Sequence, residues 1–255
     1  RHERLADAAS PQSPLLSYLT RYTAFIGLHT EVAIPPALAT AIRSAMRAAA
    51  SVRDRLSPDG WAAIVQLSDR LDDALESRLM PGDDASREMG VLLRQSSAFT
   101  GLLQDNMYRF TEWRFLSLGR SIERIMALAS ALASFLAEDA PLGSLDLALE
   151  YADSSISHRR RYGFQASRAS VIELLALDEL NPRSLIFHLT ELETQMTPIA
   201  ELKNTPASRE LLKQVGAVRR AFAGMAPEGI DTAYLADFRS RIARLSDNIT
   251  VIYLT

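Results

Sequence analysis

Apolar side chains recur every three or four residues along most of the chain, which is the spacing of one face of an α-helix. The longest helical pattern covers residues 85–137 without a proline, and we expect a break near residues 106–113, where Thr111 can cap a new helix. The last helix carries a stripe made of Leu235, Phe238, Ile242, Leu245 and Ile249. Because no segment alternates apolar and polar residues convincingly, the pattern predicts an all-α protein.

Helix starts are marked by a small polar residue followed by proline. In Ser57–Pro58 and Thr205–Pro206 the hydroxyl can accept a backbone N–H, and the proline occupies the first helical position, where its missing N–H costs nothing. We interpret Asn181–Pro182 in the same way and place a first helix over residues 14–29. These signals predict one domain over residues 1–255, folded as a single multi-helix bundle of about eight to ten helices.

Composition agrees with this fold class and excludes several functions. Hydrophobic residues make up 47% of the chain, which is enough to bury a sizeable core. No apolar run approaches the roughly 18 residues that span a bilayer, and no secretory signal is visible, so no membrane association is expected. The sequence has no cysteine for disulfides or thiolate chemistry, which fits a reducing cytoplasm. A net charge of −3 makes nucleic acid a poor partner, because proteins that bind it usually carry a basic excess.

Spacings that support common catalytic chemistry are absent from the sequence. It contains no glycine-rich phosphate loop, no HExxH zinc motif and no GxSxG nucleophile elbow. A helical di-iron site needs a glutamate three residues before an inward histidine, but neither His158 nor His188 has one, and we interpret the histidines as half-exposed. We therefore expect no metal ion, no cofactor and a binding role more than an enzymatic one.

One polar stretch, "WRFLSLGRSIERI" at residues 113–125, does not fit a plain solvated surface. If its apolar residues face inward on a helix, Arg120 and Glu123 lie one turn apart on a flank of the apolar face. Gly119 in the middle of this helix costs about 1 kcal/mol relative to alanine. Such a cost predicts that another backbone or a large group packs against Gly119.

A second polar stretch, "LEYADSSISHRRRYG" at residues 149–163, is predicted to form one continuous helix. Its apolar line continues to Arg160, or failing that to Arg159, which should then point into the bundle. An unpaired buried charge is costly, so an inward arginine needs a carboxylate partner. We expect that partner to be Glu123.

Three interpretations of these polar residues stay open. The first is a structural network between helices, made of Arg120, Glu123, Asp153 and Arg160, with Arg161 paired along its own helix to Asp153 and Ser157. The second is an arginine-lined pocket for an anion such as a carboxylate or phosphate, which the guanidinium fork suits. The third is a plain solvated helix end.

Four blocks in order resemble the alpha-E domain family, a bacterial helical domain named for a Glu-Arg motif. They are "SVRDRLSPDGW" at 51–61, "NMYRFTEWRFLSLGRSIERI" at 106–125, "LEYADSSISHRRRY" at 149–162 and "LLALDELNPRSLIFHL" at 174–189. Members of the family usually open with an earlier copy of the leucine-glycine-arginine…glutamate-arginine block. Because that copy is not found here, we expect that an N-terminal segment is missing. Glu112 also stands where the family resemblance predicts glycine before the tryptophan.

The resemblance implies a context more than an activity. Alpha-E domains are encoded beside, or fused behind, circularly permuted ATP-grasp proteins, and transglutaminase-like proteins are further companions. It implies a non-catalytic helical partner of an ATP-grasp amide or peptide ligase, holding the ligase or its peptide substrate. The alternatives are a cryptic enzyme or binding protein with an arginine-lined pocket, and a pure scaffold with an interior ion-pair network.

No catalytic residues carry over from the resemblance, and the polar positions that match its blocks are site candidates of open role. They are Arg53, Asp54, Arg55, Arg114, Arg120, Glu123, Arg124, Asp153, Arg159, Arg160, Arg161, Asn181 and Arg183.

Overall fold

The computed structural model describes Ile34 and residues 36–77 and 83–254, and the regular elements in this part of the chain are all helical. Its ten α-helices are α1 Pro36–Ser51, α2 Pro58–Glu76, α3 Asp83–Asn106, α4 Thr111–Phe135, α5 Ser144–Tyr151, α6 Ser155–Tyr162, α7 Arg168–Ile172, α8 Leu185–Lys203, α9 Pro206–Ala223 and α10 Thr232–Tyr253. Single turns of 3-10 helix cover Arg53–Arg55 and Pro227–Gly229, and a π-helical turn, Glu173–Leu177, follows α7 directly.

The predicted all-α class is confirmed, and the ten helices of the described residues fall within the expected number. The helix predicted over residues 14–29 lies outside the described residues. None of the described helices is both long and apolar enough to cross a bilayer.

The chain divides into two compact units, the first ending at Arg109 and the second beginning at Phe110. In the first unit α2 packs against both α1 and α3. Its core includes Ile42 from α1, Ile64 and Leu71 from α2 and Leu92 from α3. Fully burying an aliphatic side chain of this size contributes about 1.5–3 kcal/mol, so these few contacts account for much of the unit's packing energy.

The second unit is built around α4, which packs against α8 and α10, while α9 packs against α8. The apolar stripe on α4 is buried, with Leu118, Ile125, Ala129 and Leu132 at most 1% exposed. The stripe predicted for the last helix is also confirmed, because all five of its residues are buried in α10. Periodicity therefore identifies the inward faces of these long helices correctly.

Helix caps agree with the sequence at two sites and differ at two others. Ser57 and Thr205 accept N–H bonds from the first turns of α2 and α9, as predicted. The chain breaks before α4 as expected, but Thr111 is the first helical residue and Phe110 precedes it without a side-chain cap. Asn181 does not cap α8, because that helix begins at Leu185, four residues later, and is capped by Ser184.

The continuous helix predicted over residues 149–163 is wrong. Helix α5 ends at Tyr151, and α6 starts at Ser155 after Asp153 adopts a left-handed conformation with φ of 50°. This break rotates the residues that follow it. Ile156 is consequently 69% exposed, whereas His158 is 1% exposed and occupies the inward position.

The space around Gly119 is open, which overturns the expectation of a group packed against it. A Cβ added at Gly119 would meet no atom within 4 Å outside its own helical backbone.

Gly119→Ala should therefore stabilise the chain by about 0.5–1 kcal/mol, because alanine loses less backbone entropy in a helix interior. Urea unfolding followed by circular dichroism measures the change, and a loss of stability in the variant would contradict the prediction.

Candidate functional site

Helix α4 presents two arginines one turn apart beside its buried stripe. Arg120 is half-buried and Arg124 is more exposed, while Ile122 and Ile125 between and beyond them face the core. Because α4 packs against α8, these two side chains lie on the flank where the first turn of α8 carries His188. The charges of both arginines act on the His188 imidazole.

The loop between the π-helical turn and α8 positions a third arginine, Arg183. The Asn181 side chain donates to the Leu174 carbonyl at 2.8 Å, and its amide oxygen accepts the Arg183 N–H at 3.0 Å. Ser184 donates through Oγ to the Asp178 carbonyl at 2.6 Å and also accepts the Phe187 N–H at 3.1 Å. These bonds fix the backbone on both sides of Arg183, so its side chain starts from a defined place.

His188 is the buried centre of this group, with 6% exposure. Burial, together with the positive charges of Arg124, Arg120 and Arg183, lowers its pKa to about 4. Its ring meets the Phe187 ring edge-on at 5.5 Å, and it makes no side-chain hydrogen bond to another described residue. His188 is therefore a neutral imidazole near pH 7, held among three cations. The name arginine site is used below for Arg120, Arg124, Arg183 and His188.

Carboxylates only partly balance the arginine site. Arg183 reaches Asp153 at 3.3 Å, in a pair whose Asp153 side chain is 84% exposed. Arg120 and Arg124 make no ion pair with any described residue. Burial lowers the pKa of Arg120, and partial burial together with the charges of Arg120 and Arg183 lowers that of Arg124. Unpaired guanidinium groups in this setting can receive an oxyanion, since their N–H forks match carboxylate and phosphate oxygens.

Arg161 joins a second polar group around the π-helical turn. Its guanidinium donates to Asp178 at 2.7 Å and to Glu173 at 3.0 Å. Glu173 opens the π-helical turn and Asp178 follows its last residue, so Arg161 connects both ends of the turn to α6. Burial and nearby Glu173 raise the pKa of Tyr162, the next residue along α6, to about 12.

His158 fixes α6 to α7 on the inner side of the same group. Its Nε2 lies 2.8 Å from Ser170 Oγ, and Ser170 forms a capping box with Ser167 at the start of α7. Burial lowers the pKa of His158, which keeps the imidazole neutral. Because Ser170 Oγ donates to the Ser167 carbonyl, we assign His158 as the donor to Ser170.

The structural network expected around Arg120, Glu123, Asp153 and Arg160 is not formed. Glu123 and Arg160 are both exposed, so the predicted buried pair between them is wrong. Arg159 is exposed as well, and the residue of "HRRR" that points inward is the histidine. Arg161 does not pair along its own helix, because its partners come from residues 12 and 17 positions further along the chain.

The remaining candidates make contacts of other kinds. In the first unit Arg53 stacks over the Trp61 ring at 4.8 Å, and Arg55 pairs with its neighbour Asp54 at 3.0 Å. In the second unit Arg114 donates to the buried Gln195 side chain at 3.0 Å and ties α4 to α8. These contacts are structural ones.

Sequence reasoning missed the two buried histidines by interpreting them as half-exposed. A signal for His188 existed, because it stands three residues after Leu185 and one before Leu189, on the inward face of α8. No comparable signal existed for His158, whose burial depends on the break at Asp153. Among the described residues no group of three or more potential metal ligands comes together.

The described residues form an all-α fold, and in its second unit the arginine site lies beside the long helix α4. The chain belongs to the Alpha-E family, described as a predicted alpha-helical domain with a conserved ER motif, whose model matches residues 12–254. Within those residues a Glu-Arg pair occurs once, at Glu123–Arg124, and its arginine is part of the arginine site.

Similar proteins include uncharacterized proteins of Mycobacterium bovis and of two Mycobacterium tuberculosis strains. Each is 29% identical over 185 residues, which cover 68% of this chain and 20% of the relative. The matched region thus spans about a fifth of the length of these curated relatives. No solved structure matches the chain.

Neighbouring arginines on α6 offer a direct test of the second polar group. Arg161→Gln should cost about 1 kcal/mol of unfolding free energy, because it leaves Asp178, whose side chain is 14% exposed, without its cation. Arg160→Gln is the matched control and should change stability by less than about 0.5 kcal/mol. Urea unfolding at pH 7 compares the two variants. Equal changes in unfolding free energy would show that the ion pairs of Arg161 contribute nothing to stability.

The buried His188 should make stability depend on pH. Its pKa of about 4 lies below the ordinary 6.5, so protonation favours the unfolded chain; stability is full above pH 6.5 and falls as pH drops toward 4. Between pH 7 and pH 5 the unaltered chain should lose about 2 kcal/mol more than His188→Gln. Urea unfolding at both pH values measures this difference. Because His158 is present in both chains, its contribution to the difference cancels. Equal losses of unfolding free energy in the two chains would show that His188 does not cause the pH dependence.

Proposed function

We propose that this domain is a non-catalytic binding module that holds an anionic group, a carboxylate or a phosphate, in its arginine site. The observation that carries the proposal is the convergence of Arg120, Arg124 and Arg183 on His188, with no described carboxylate paired to the first two. A purely structural cluster would be expected to contain its own counter-charges, because unpaired charges near a buried group are costly.

The position of the arginine site favours binding over a passive surface role. Arg120 and Arg124 are fixed on a long helix whose opposite side is buried in the core, and Arg183 is fixed by the Asn181 and Ser184 hydrogen bonds. Donors held by rigid elements lose little conformational entropy when a ligand binds. The first turn of α8 adds the partial positive charge of a helix N-terminus, which also favours an anion.

Family membership supports a larger system around this module. Arg124 belongs to the Glu-Arg motif that describes the family. The curated relatives are about five times as long as the matched region, which leaves room in them for other domains. We propose that the partner is a circularly permuted ATP-grasp ligase, fused or separate, with a transglutaminase-like protein as a further companion. The anionic group would then belong to the peptide substrate or to a phosphate of the ligation reaction.

The proposal is tested by binding simple anions to the whole chain. Inorganic phosphate and acetate are titrated at pH 7 by calorimetry and by thermal unfolding, with sodium chloride holding the ionic strength constant. At least one anion should bind and raise the midpoint of unfolding, because a ligand that prefers the folded state stabilises it. Replacing Arg120 and Arg124 together by glutamine should weaken binding at least tenfold, because both cations are removed from the site.

A matched control distinguishes the arginine site from general cationic surface. Arg159 and Arg160 also lie in one helix and are exposed, so replacing both by glutamine removes the same charge at another place. That variant should bind the anion as the unaltered chain does. If neither anion binds, or if both double variants lose affinity equally, the proposed function is wrong.

A further inference from the structure

From the composition of the arginine site, we infer that its ligand is a doubly charged tetrahedral oxyanion of the phosphomonoester class, and that His188 takes up a proton when this ligand binds. The inference rests on the proposed function and narrows it, since a singly charged carboxylate is then a weaker ligand. It also gives the site a dependence on pH that three arginines alone would not produce.

Charge balance within the site supports a dianion. Three guanidinium groups contribute three positive charges, and Asp153, which reaches only Arg183, removes one, leaving a net charge of two. The charged groups that lower the pKa of His188 are Arg120 and Arg124 from α4 and Arg183 from the loop before α8, and no described carboxylate acts on it. Once His188 is protonated the excess is three, of which a dianion leaves one positive charge and a carboxylate leaves two.

Hydrogen-bond balance supports protonation of His188 on binding. Guanidinium groups only donate, and a fully charged oxyanion only accepts. A neutral imidazole offers one donor and one acceptor, so its acceptor nitrogen finds no partner on such a ligand. The imidazolium offers two donors instead. Since the His188 ring has no hydrogen-bond partner among the described residues, both of its nitrogens are available to change roles.

Donors in the site also approach from separate elements. Two guanidinium groups project from successive turns of α4, one from the loop before α8, and the imidazole from the first turn of α8. A planar carboxylate has two oxygens in one plane, while a tetrahedral oxyanion presents three or four in different directions. The second shape matches donors that converge from several elements.

Proton linkage gives the size of the expected effect. In the free site the pKa of His188 is about 4, and a bound dianion cancels the repulsion that helps to lower it. Burial, the largest cause of the lowered pKa, persists in the complex and is offset only by the ion pair between the imidazolium and the dianion. If that pair returns the pKa to its ordinary value near 6.5, affinity for an anion of constant charge rises about tenfold between pH 8 and pH 5.5. A site without a proton-accepting group would show no such rise.

The test uses the whole chain with two probes of the same shape. Sulfate is a dianion and methyl sulfate a monoanion throughout pH 5.5–8, so neither changes charge during the titration. Calorimetry at constant ionic strength should show sulfate binding at least tenfold tighter than methyl sulfate, and about tenfold tighter at pH 5.5 than at pH 8. Titration at pH 6 in buffers of different ionisation enthalpy should show proton uptake.

Variants assign the proton to His188. His188→Gln should still bind sulfate but lose the pH dependence, while Arg160→Gln should keep it. If the His188 variant does not fold, proton uptake by the unaltered chain decides the matter. Equal affinity for the two probes, or sulfate affinity that is constant from pH 8 to 5.5, would overturn the inference and leave the proposed function standing. If no anion binds, or if binding is unchanged when Arg120 and Arg124 are replaced, the proposed function itself is overturned.

Discussion

Packing of α4 against α8 is the contact on which the rest of the second unit depends. The buried stripe of α4 fixes the rotation of that helix, and the rotation places Arg120 and Arg124 on the flank beside the first turn of α8. The inward face of α8 fixes His188 in the same way. Two apolar contact faces therefore bring together three of the four groups of the arginine site, with His188 more than 60 residues along the chain from Arg120 and Arg124.

The π-helical turn connects this packing to the segments that precede it. Arg161 bonds to residues at both ends of the turn, and Asn181 and Ser184 bond the following loop back onto it. Since Arg183 lies between Asn181 and Ser184 in the chain, the geometry of the turn determines the position of the Arg183 backbone, from which its guanidinium extends. Turns of this kind are frequent at functional sites, where an extra backbone residue re-aims a side chain.

Sequence reasoning succeeded where local periodicity decides the structure and failed where one residue or one distant partner decides it. The stripes of α4 and α10 and the caps at Ser57 and Thr205 follow from the physics of neighbouring residues, and all were predictable. The left-handed conformation of Asp153 was not predictable. Because of the break there, the residue of α6 that points inward is His158 and not the predicted Arg160. The three arginines of the arginine site were predictable as candidates, but their arrangement around a buried His188 was not.

Under the proposed function, mutual repulsion within the arginine site is a cost that the free chain bears in exchange for affinity for its ligand. The same charges that lower the pKa of His188 also favour any anion that enters, because binding removes the repulsion between the guanidinium groups as well as adding new bonds. A site with built-in carboxylates would be more stable when empty and would bind less tightly. Since Asp153 sits at the edge of the site and balances only one cation, the fold leaves most of that driving force for the ligand.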